Sequence, residues 1–364
     1  MNSFLGKKVL ITGHTGFKGF WLAMILSSMG ADVVGVSLKT DPNKKSHFRS
    51  LNGEELIKTF YIDIKDLSSL KELTNQIKPD YIFHLAAQAL VAESFKDPIN
   101  TFTTNTIGSI NLLESLRQAN HKCNLIMITS DKVYENVEWV FGYRENDILG
   151  GSDPYSASKA CAELAIRSYF KSYLRNSHIR LCIARAGNVI GGGDWSENRL
   201  VPDCIRSWTN QTIVKLRSPE STRPWQHVFD PINGYLKLAL RLNEDQSIQG
   251  EAFNFGPDHL SDITVIDAVE KLSKEWGEGA QYKVENNNFM KEAKLLRLNC
   301  DKAHTLLNWK PILNLDQCIS MTIDWYKKSN LGIKETKEIA SFVFKEILVL
   351  LHPFIPFITE EIWL

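Results

Sequence analysis

Tyr155 and Lys159 stand four residues apart in Tyr155-Ser156-Ala157-Ser158-Lys159, at the start of a stretch that reads as a helix. Side chains at that spacing project from one helix face about a turn apart. An ammonium beside a phenol lowers the phenol's pKa from about 10, so the pair can act as acid or base near neutrality. As a bare spacing the motif means little. It gains weight from Ser130, 25 residues upstream, and from a glycine-rich turn before both. Ser130 opens Ser130-Asp131-Lys132, which sets a hydroxyl, a carboxyl and an amine side by side after a wholly apolar run; taken alone, the two charges also fit a solvated loop. The turn lies in KKVLITGHTGFKGFW, Lys7 to Trp21, with Gly13, Gly16 and Gly19 between a β-branched run and an apolar-periodic segment. In a dinucleotide-binding βαβ unit the first glycine permits the turn, the second lets backbone approach a pyrophosphate, and the third lets helix and strand pack closely. The helix N-terminus then offers free N–H groups and a positive dipole end to the phosphates.

These residues need a frame that carries them to one place, and the chain supplies alternating strands and helices. Ala31 to Ser37 reads as a second strand, running out into Ser37-Leu38-Lys39-Thr40 where a ribose-binding acid often stands. Without that acid the choice between NAD and NADP stays open, and Lys39 could favour a 2′-phosphate. Thr59 to Ile62 is a short strand, followed by Asp63-Ile64; Asp63 fits an adenine edge or a cap on the helix near Leu67 equally well. Tyr81 to Gln88 reads as an apolar strand ending in Ala86, Ala87 and Gln88, small enough at its end for backbone to lie against a ligand; His84 within it reads as a core residue. Residues 98–119 have a 3.6-residue apolar period with Asn105 intruding near the buried side. Asn124 to Thr129 then delivers Ser130 at a carboxyl end, where ligands sit in open α/β sheets.

After the strand at Ile179 to Arg185 comes a glycine-rich loop, Gly187 to Trp195, and the alternation stops. This reads as the passage into a smaller lobe covering the substrate. Arg217 to Val228 gathers cations and aromatics, Arg223, Trp225 and His227 among them, that could hold a diphosphate and stack on a base.

Forty-two basic and forty-two acidic residues give a formal net charge of zero, which argues against nucleic acid or a membrane surface recognised by global charge. The six cysteines are dispersed without a CxxC pair, which fits reduced thiols and no metal site. No leader of charged-then-apolar residues precedes Lys7 and no run approaches the ~20 apolar residues of a spanning helix, so a soluble, cytoplasmic protein is expected.

TGHTGFKG at 12–19, HLAAQ at 84–88, TSDKVYEN at 129–136, YSASKA at 155–160 and GNVIGGGDW at 187–195 together resemble the extended short-chain dehydrogenase/reductase superfamily, and within it most the CDP-glucose 4,6-dehydratases. His14 and Lys18 within the turn, and Lys132 after Asp131 where many sugar-nucleotide dehydratases carry Asp-Glu, discriminate best. The resemblance spans roughly residues 4 to 330. It implies a Rossmann-type α/β fold with a doubly wound parallel sheet and a smaller C-terminal α/β lobe: a cofactor domain over 1–187, its sheet completed by later segments, and a mainly substrate-binding lobe over 188–330. It implies catalysis by Ser130, Asp131, Lys132, Tyr155 and Lys159. The cofactor site is expected to comprise Gly13, His14, Thr15, Gly16, Phe17, Lys18, Gly19, Asp63, Ile64, Ala86, Ala87, Gln88 and Asn105 with Tyr155 and Lys159. Asn188, Asp194, Trp195, Arg199, Leu200, Arg223, Trp225 and His227 are expected at the substrate.

The reaction so implied oxidises the glucose 4-hydroxyl, with Tyr155 as base, Lys159 lowering its pKa and holding the nicotinamide ribose, and Ser130 on the 4-oxygen. Water then leaves across C5 and C6, with Asp131 as acid to the 6-hydroxyl and Lys132 near the C5 proton, and hydride returns to C6. Because the cofactor is regenerated in place, NAD is preferred to NADP. The expected substrate is a nucleotide sugar, CDP-glucose, and the expected assembly a homodimer or higher oligomer through the helix of Tyr155 and the long one before it. An epimerase or reductase of the superfamily would keep Tyr155 and Lys159 but not need Asp131-Lys132; a dinucleotide-sensing binding protein usually loses the Tyr/Lys pair.

The last thirty or so residues depart from this pattern. Glu335 to Trp363 resembles a segment of the helical anticodon-binding domain of valyl-tRNA synthetases, an amphipathic helix stopping at His352-Pro353 and a capped start at Thr359-Glu360-Glu361. Its length is far short of that domain, so 331–364 reads as a fused, foreign-looking helical tail, with tRNA binding the sharper alternative.

Overall fold

The computed structural model describes residues 3–257, 263–285 and 295–330. The tail expected over 331–364 lies outside the described residues. Seven parallel strands form the central sheet: β1 Lys8–Thr12, β2 Asp32–Ser37, β3 Lys58–Tyr61, β4 Tyr81–His84, β5 Cys123–Ile128, β6 Ile179–Ala186 and β7 Ala252–Phe255, in the order β7-β6-β5-β4-β1-β2-β3. Order reverses between β1 and β4, which opens a crevice at their carboxyl ends, the place where such sheets bind ligands. The registers Ile11↔Gly35 and Ile128↔Ala184 bring the strand ends to one rim.

Both faces of a parallel sheet are buried, which explains the unbroken apolar runs. Val9 and Ile11 point to one face with Ile126 and Cys182, under helices α1 (Phe17–Ser28) and, later in the chain, Phe229–Glu244. Leu10, Leu125, Met127, Leu181 and Ile183 point to the other, under α2 (Leu67–Ile77), the helical stretch α3 (98–117) and α4 (Pro154–Tyr169). Within α3, Thr103–Ile107 is a π turn carrying Asn105, a local widening of the kind that often marks functional sites.

The glycine turn takes the expected form. Gly13 lies at φ +76, and a Cβ on it would meet Ala86 N at 2.7 Å; a Cβ on Gly19 would meet the Gly13 carbonyl at 2.2 Å. α1 starts at Gly16 with no side-chain cap, which leaves its first N–H groups facing the turn.

The smaller lobe follows β6. It is built from α5 (Leu200–Thr209), α7 (Val265–Trp276), α8 (Leu315–Asn330) and three short strand pairs, among them Val189–Ile190 with Gln226–His227. Between α5 and α7 the chain returns through α6 (Phe229–Glu244) to the large sheet, which β7 completes. Two elements are shorter or differently ended than their sequence suggests. β4 stops at His84 because 85–90 turns away as a loop, whose Gln88 N–H is accepted by Asn105 Oδ1 at 2.8 Å. Asp66, not Asp63, caps α2, accepting Ser69 N–H at 3.1 Å. His84 is a satisfied core residue, with Thr12 Oγ1 at 2.7 Å from Nδ1 and Ser109 Oγ at 3.1 Å from Nε2.

Candidate active site

The carboxyl end of β5 leads into a short 3-10 turn, Asp131–Val133, capped by Ser130, whose Oγ accepts the Lys132 N–H at 3.2 Å and donates to Asp131 Oδ1 at 2.9 Å. Asp131 is 2 % exposed and its Oδ2 has no hydrogen-bond partner, lying 3.3 Å from where a Cβ on Gly187 would be. Burial pushes its carboxyl pKa up, against Lys132, the Ser130 hydroxyl, Arg223 and Lys18. This acid is thus biased toward holding a proton.

α4 presents the second half of the site. Asp153 caps it, accepting Ser156 N–H at 3.0 Å, and Pro154 starts the first turn. Tyr155 and Lys159 then fall on its inner face, 9 % and 7 % exposed. Burial pushes the Tyr155 phenol up; the Ser130 hydroxyl opposes this, Asp131 adds to it, and the Arg199 guanidinium opposes it. The opposition that the sequence assigns to Lys159 therefore comes here from Ser130 and Arg199, because Lys159 itself is brought down to about 7 by burial and by Lys18, with Glu163 acting the other way. Lys18, on the first turn of α1, falls to about 8 through burial and Arg199, against Asp131 and Asp194. It makes no hydrogen bond or ion pair among the described residues, and stands between the glycine turn, the Asp131 segment and the substrate loop.

Asn105 ties these parts together. Its amide nitrogen donates to the Gln88 carbonyl at 3.0 Å and to Ser158 Oγ at 2.9 Å. Ala86 N–H donates to Thr12 Oγ1 at 3.2 Å, so Ala86 and Ala87 lie along the glycine turn. The narrow space at Gly13 and Gly19, with the uncapped start of α1, is a cradle that side chains would fill, and it fits a dinucleotide's diphosphate. At the end of β2, Thr15 and Ser37 hydroxyls meet at 2.6 Å, and the Lys39 ammonium lies over the Tyr61 ring, 5.7 Å from its centre.

Several residues expected to touch a ligand are engaged elsewhere. His14 is wholly buried, its ring lying on Gly35 and against Phe48 with Nε2 at 2.9 Å from Thr59 Oγ1; burial lowers its pKa to about 4, so it is a neutral packing residue beneath the turn. Gln88 spends its amide on α3 and its own loop, donating to Thr101 Oγ1 at 2.8 Å and accepting from Leu90 N–H at 2.5 Å. Asp63 accepts Lys65 N–H at 2.9 Å and pairs with the Lys65 ammonium at 3.4 Å, while Ile64 is core beneath Gly108.

In the substrate loop Asp194 is buried, holding Arg199 at 2.8 Å and Ser196 N–H at 3.1 Å, and its carbonyl accepts the Tyr326 hydroxyl. Trp195 packs on Tyr326 and carries the Lys45 ammonium over its ring at 4.6 Å. The Asn188 carbonyl accepts Gln226 N–H at 3.1 Å. Phe17 edges Gly191. Arg223, on the strand Thr222–Arg223, acts on Asp131 electrostatically. Leu200 and Trp225 instead share an apolar seam with Ile190, Leu272 and Ile319 inside the small lobe. His227 is buried against Phe229, and burial takes it down to about 3, so its ring is neutral and packed here.

Sequence reasoning passed over a buried set next to the site: Glu163, Arg185, Thr129 and Tyr134. A cation in the apolar strand IRLCIARA and an acid four residues beyond Lys159 were the available signals.

Among known proteins, a family model described as GDP-mannose 4,6 dehydratase matches residues 10–322. A second, described as the anticodon-binding domain of tRNA ligase, matches residues 312–364. The chain is 42 % identical to a CDP-glucose 4,6-dehydratase of Salmonella typhimurium over 331 residues, covering 90 % of this chain and 92 % of the relative. A solved dTDP-glucose 4,6-dehydratase of Bacillus anthracis in complex with NAD superposes with a TM-score of 0.75 at 20 % identity, over 91 % of this chain and 100 % of that one. A UDP-glucuronic acid 4-epimerase of Bacillus cereus, in complex with UDP-glucuronic acid and NAD, gives 0.76 at 23 % identity, over 88 % and 99 %.

Proposed function

Because this chain belongs to the GDP-mannose 4,6-dehydratase family and is a nucleotide-sugar 4,6-dehydratase, we propose that it converts CDP-glucose to CDP-4-keto-6-deoxyglucose and water with NAD recycled in place. The observation that carries the reading is Asp131: a carboxyl beside Ser130, buried, biased toward its protonated form, and with one oxygen unpartnered. An epimerase has no step that calls for such an acid, whereas expelling a hydroxide from C6 does.

In this reading Tyr155 takes the proton of the 4-hydroxyl while Ser130 hydrogen-bonds the 4-oxygen. NAD held at the glycine turn and by Lys159 would supply the hydride acceptor for C4 and the hydride donor for C6. The 4-ketone acidifies the C5 hydrogen; Lys132, as the neutral amine, removes it while Asp131 gives its proton to the departing 6-hydroxyl, and Lys132 returns the proton to C5 once hydride has reached C6. Lys159 holds the nicotinamide ribose, and Gly13, Gly16 and Gly19 with the start of α1 hold the diphosphate. The Thr15–Ser37 contact, and Lys39 drawn over Tyr61, favour NAD over NADP at the adenosine end. Lys18, Asp194, Arg199 and Arg223 supply the charges that face a nucleotide diphosphate and sugar.

A homodimer through α3 and α4 is part of the proposal, supported by apolar groups they leave open: Ile99 76 %, Ile107 46 % and Leu164 57 % exposed. The free thiols support a reducing, cytoplasmic setting. No helix among the described residues is long and apolar enough to cross a membrane. We read residues 331–364 as a fused segment outside the dehydratase.

Incubation with CDP-glucose, dTDP-glucose, GDP-mannose and UDP-glucose, followed by the alkali-induced absorbance of a 4-keto-6-deoxy sugar, tests the substrate. Product from CDP-glucose above the other three is expected; equal or better product from another sugar nucleotide overturns the CDP assignment.

A further inference from the structure

We propose that Glu163 is a positioning residue of this active site, locking the helix of Tyr155 and Lys159 to the Ser130 segment while serving as the fixed counter-charge of Lys159. The inference rests on the reading of Tyr155 and Lys159 as the reacting pair. Glu163 lies one turn beyond Lys159 on α4 and is wholly buried. Its Oε1 accepts the Thr129 hydroxyl at 2.7 Å, and Thr129 immediately precedes Ser130. The same carboxylate takes a bidentate pair from Arg185, Nε to Oε1 at 2.8 Å and Nη2 to Oε2 at 2.5 Å. One buried group thus spans α4, the end of β5 and the end of β6.

Arg185 extends the lock. It donates to Tyr134 Oη at 2.6 Å and to the Glu145 carbonyl at 3.1 Å. The Tyr134 hydroxyl in turn donates to Asn254 Oδ1 at 2.7 Å, on β7. The turn carrying Asp131 and Lys132 is therefore bracketed by Thr129 and Tyr134, and both ends report to one ion pair. A buried pair of this kind is costly to desolvate and is poor evidence of stability by itself. What it supplies here is a fixed geometry between two chain segments that react together.

The charge matters separately from the geometry. Lys159 is faced by the Lys18 ammonium from α1, by His84 from β4, by Tyr155 on its own helix and by Glu163 one turn on. Burial and Lys18 act to discharge it, and Glu163 acts to keep its proton. Arg185, with Arg167 at 3.7 Å, fixes the Glu163 carboxyl in place.

The test titrates the Lys159 side chain by lysine-labelled NMR in the full-length protein, its signal identified by loss in Lys159→Arg. In Glu163→Gln the midpoint is expected to fall by about one pH unit, and Glu163→Asp to restore most of it. An unmoved midpoint overturns the counter-charge role, whatever happens to melting temperature. Should Glu163→Gln fail to fold around an unpaired Arg185, the double variant Glu163→Gln/Arg185→Met is read against Arg185→Met alone, so that only the carboxylate differs, and a midpoint equal in the two overturns the role. For the geometric role, Thr129→Val removes one hydroxyl and keeps the volume. It is expected to leave the Lys159 midpoint in place and lower kcat about tenfold with KM held; an unchanged kcat overturns the lock. Because the titration needs no turnover, a wild-type protein that makes no dehydrated product would sink the functional reading while leaving the Lys159 titration to decide the counter-charge.

Discussion

The indole N–H of Trp21 donates to the carbonyl of Gly192 at 2.8 Å, joining the helix that starts at the glycine turn to the loop that carries Asp194 and Arg199. The contact fixes substrate loop against cofactor helix. Trp21→Phe keeps much of the ring packing and removes the donor, at a cost of about 1 kcal/mol. KM for the nucleotide sugar is expected to rise about fivefold with kcat within twofold, measured by steady-state kinetics. A lower melting temperature with unchanged KM would show the loop to be held by other contacts.

Tyr155→Phe removes the group we propose as base to the 4-hydroxyl. The transient reduced-nicotinamide absorbance after mixing with substrate is expected to vanish, and turnover to fall about 10³-fold. Persistence of that transient would contradict the base role.

In the proposed mechanism Asp131 and Lys132 act after oxidation, so their loss would separate the steps. Lys132→Ala is expected to bind cofactor normally but to lose solvent isotope incorporation at C5. Undiminished incorporation would remove Lys132 from the reaction. Asp131→Asn keeps the shape without the transferable proton, and reduced cofactor is expected to accumulate, followed by stopped-flow absorbance.

His47 gives a stability expectation with a definite sign. Its ring packs among Phe20, Trp21 and Trp325 at 4.8–5.2 Å, neither nitrogen has a partner, and burial lowers it to about 3 from 6.5. As pH falls below 6.5 the unfolded chain takes the proton and the folded chain does not. Stability from this site is therefore complete above 6.5 and lost toward 3, at about 1.4 kcal/mol per pH unit. His47→Phe removes that loss, so the variant should gain about 2 kcal/mol on wild type between about pH 7 and about pH 5 in urea unfolding. A constant difference across that range would mean the ring protonates in the folded state.

Deleting residues 335–364 is expected to leave dehydratase turnover within twofold. A large loss would show that the segment supports the enzyme.

The sheet was legible because strands buried on both faces are written as unbroken apolar runs, and Tyr155 and Lys159 because their four-residue spacing follows a glycine-rich turn and Ser130. Asn105 announced itself as an amide on an apolar stripe. His14, His227 and Trp225 carry a polar handle on an aromatic body, and spacing cannot tell a ring that packs from one that binds. Asp63 and Asp66 stand three apart, and only the position of Ser69 N–H decided which caps α2. Glu163 and Arg185 were hidden because their pairing joins a helix to a strand, a relation with no periodic trace.

The return of the chain from the small lobe to lay β7 beside β6 has a consequence for synthesis. Until residue 255 leaves the ribosome, β6 remains an open edge with its outer row of backbone groups unpaired, and until residue 244 does, its apolar side chains also lack the cover of α6. A nascent chain paused within the small lobe would thus carry a sticky sheet margin, and fragments ending near residue 187 should aggregate although they contain every proposed catalytic residue.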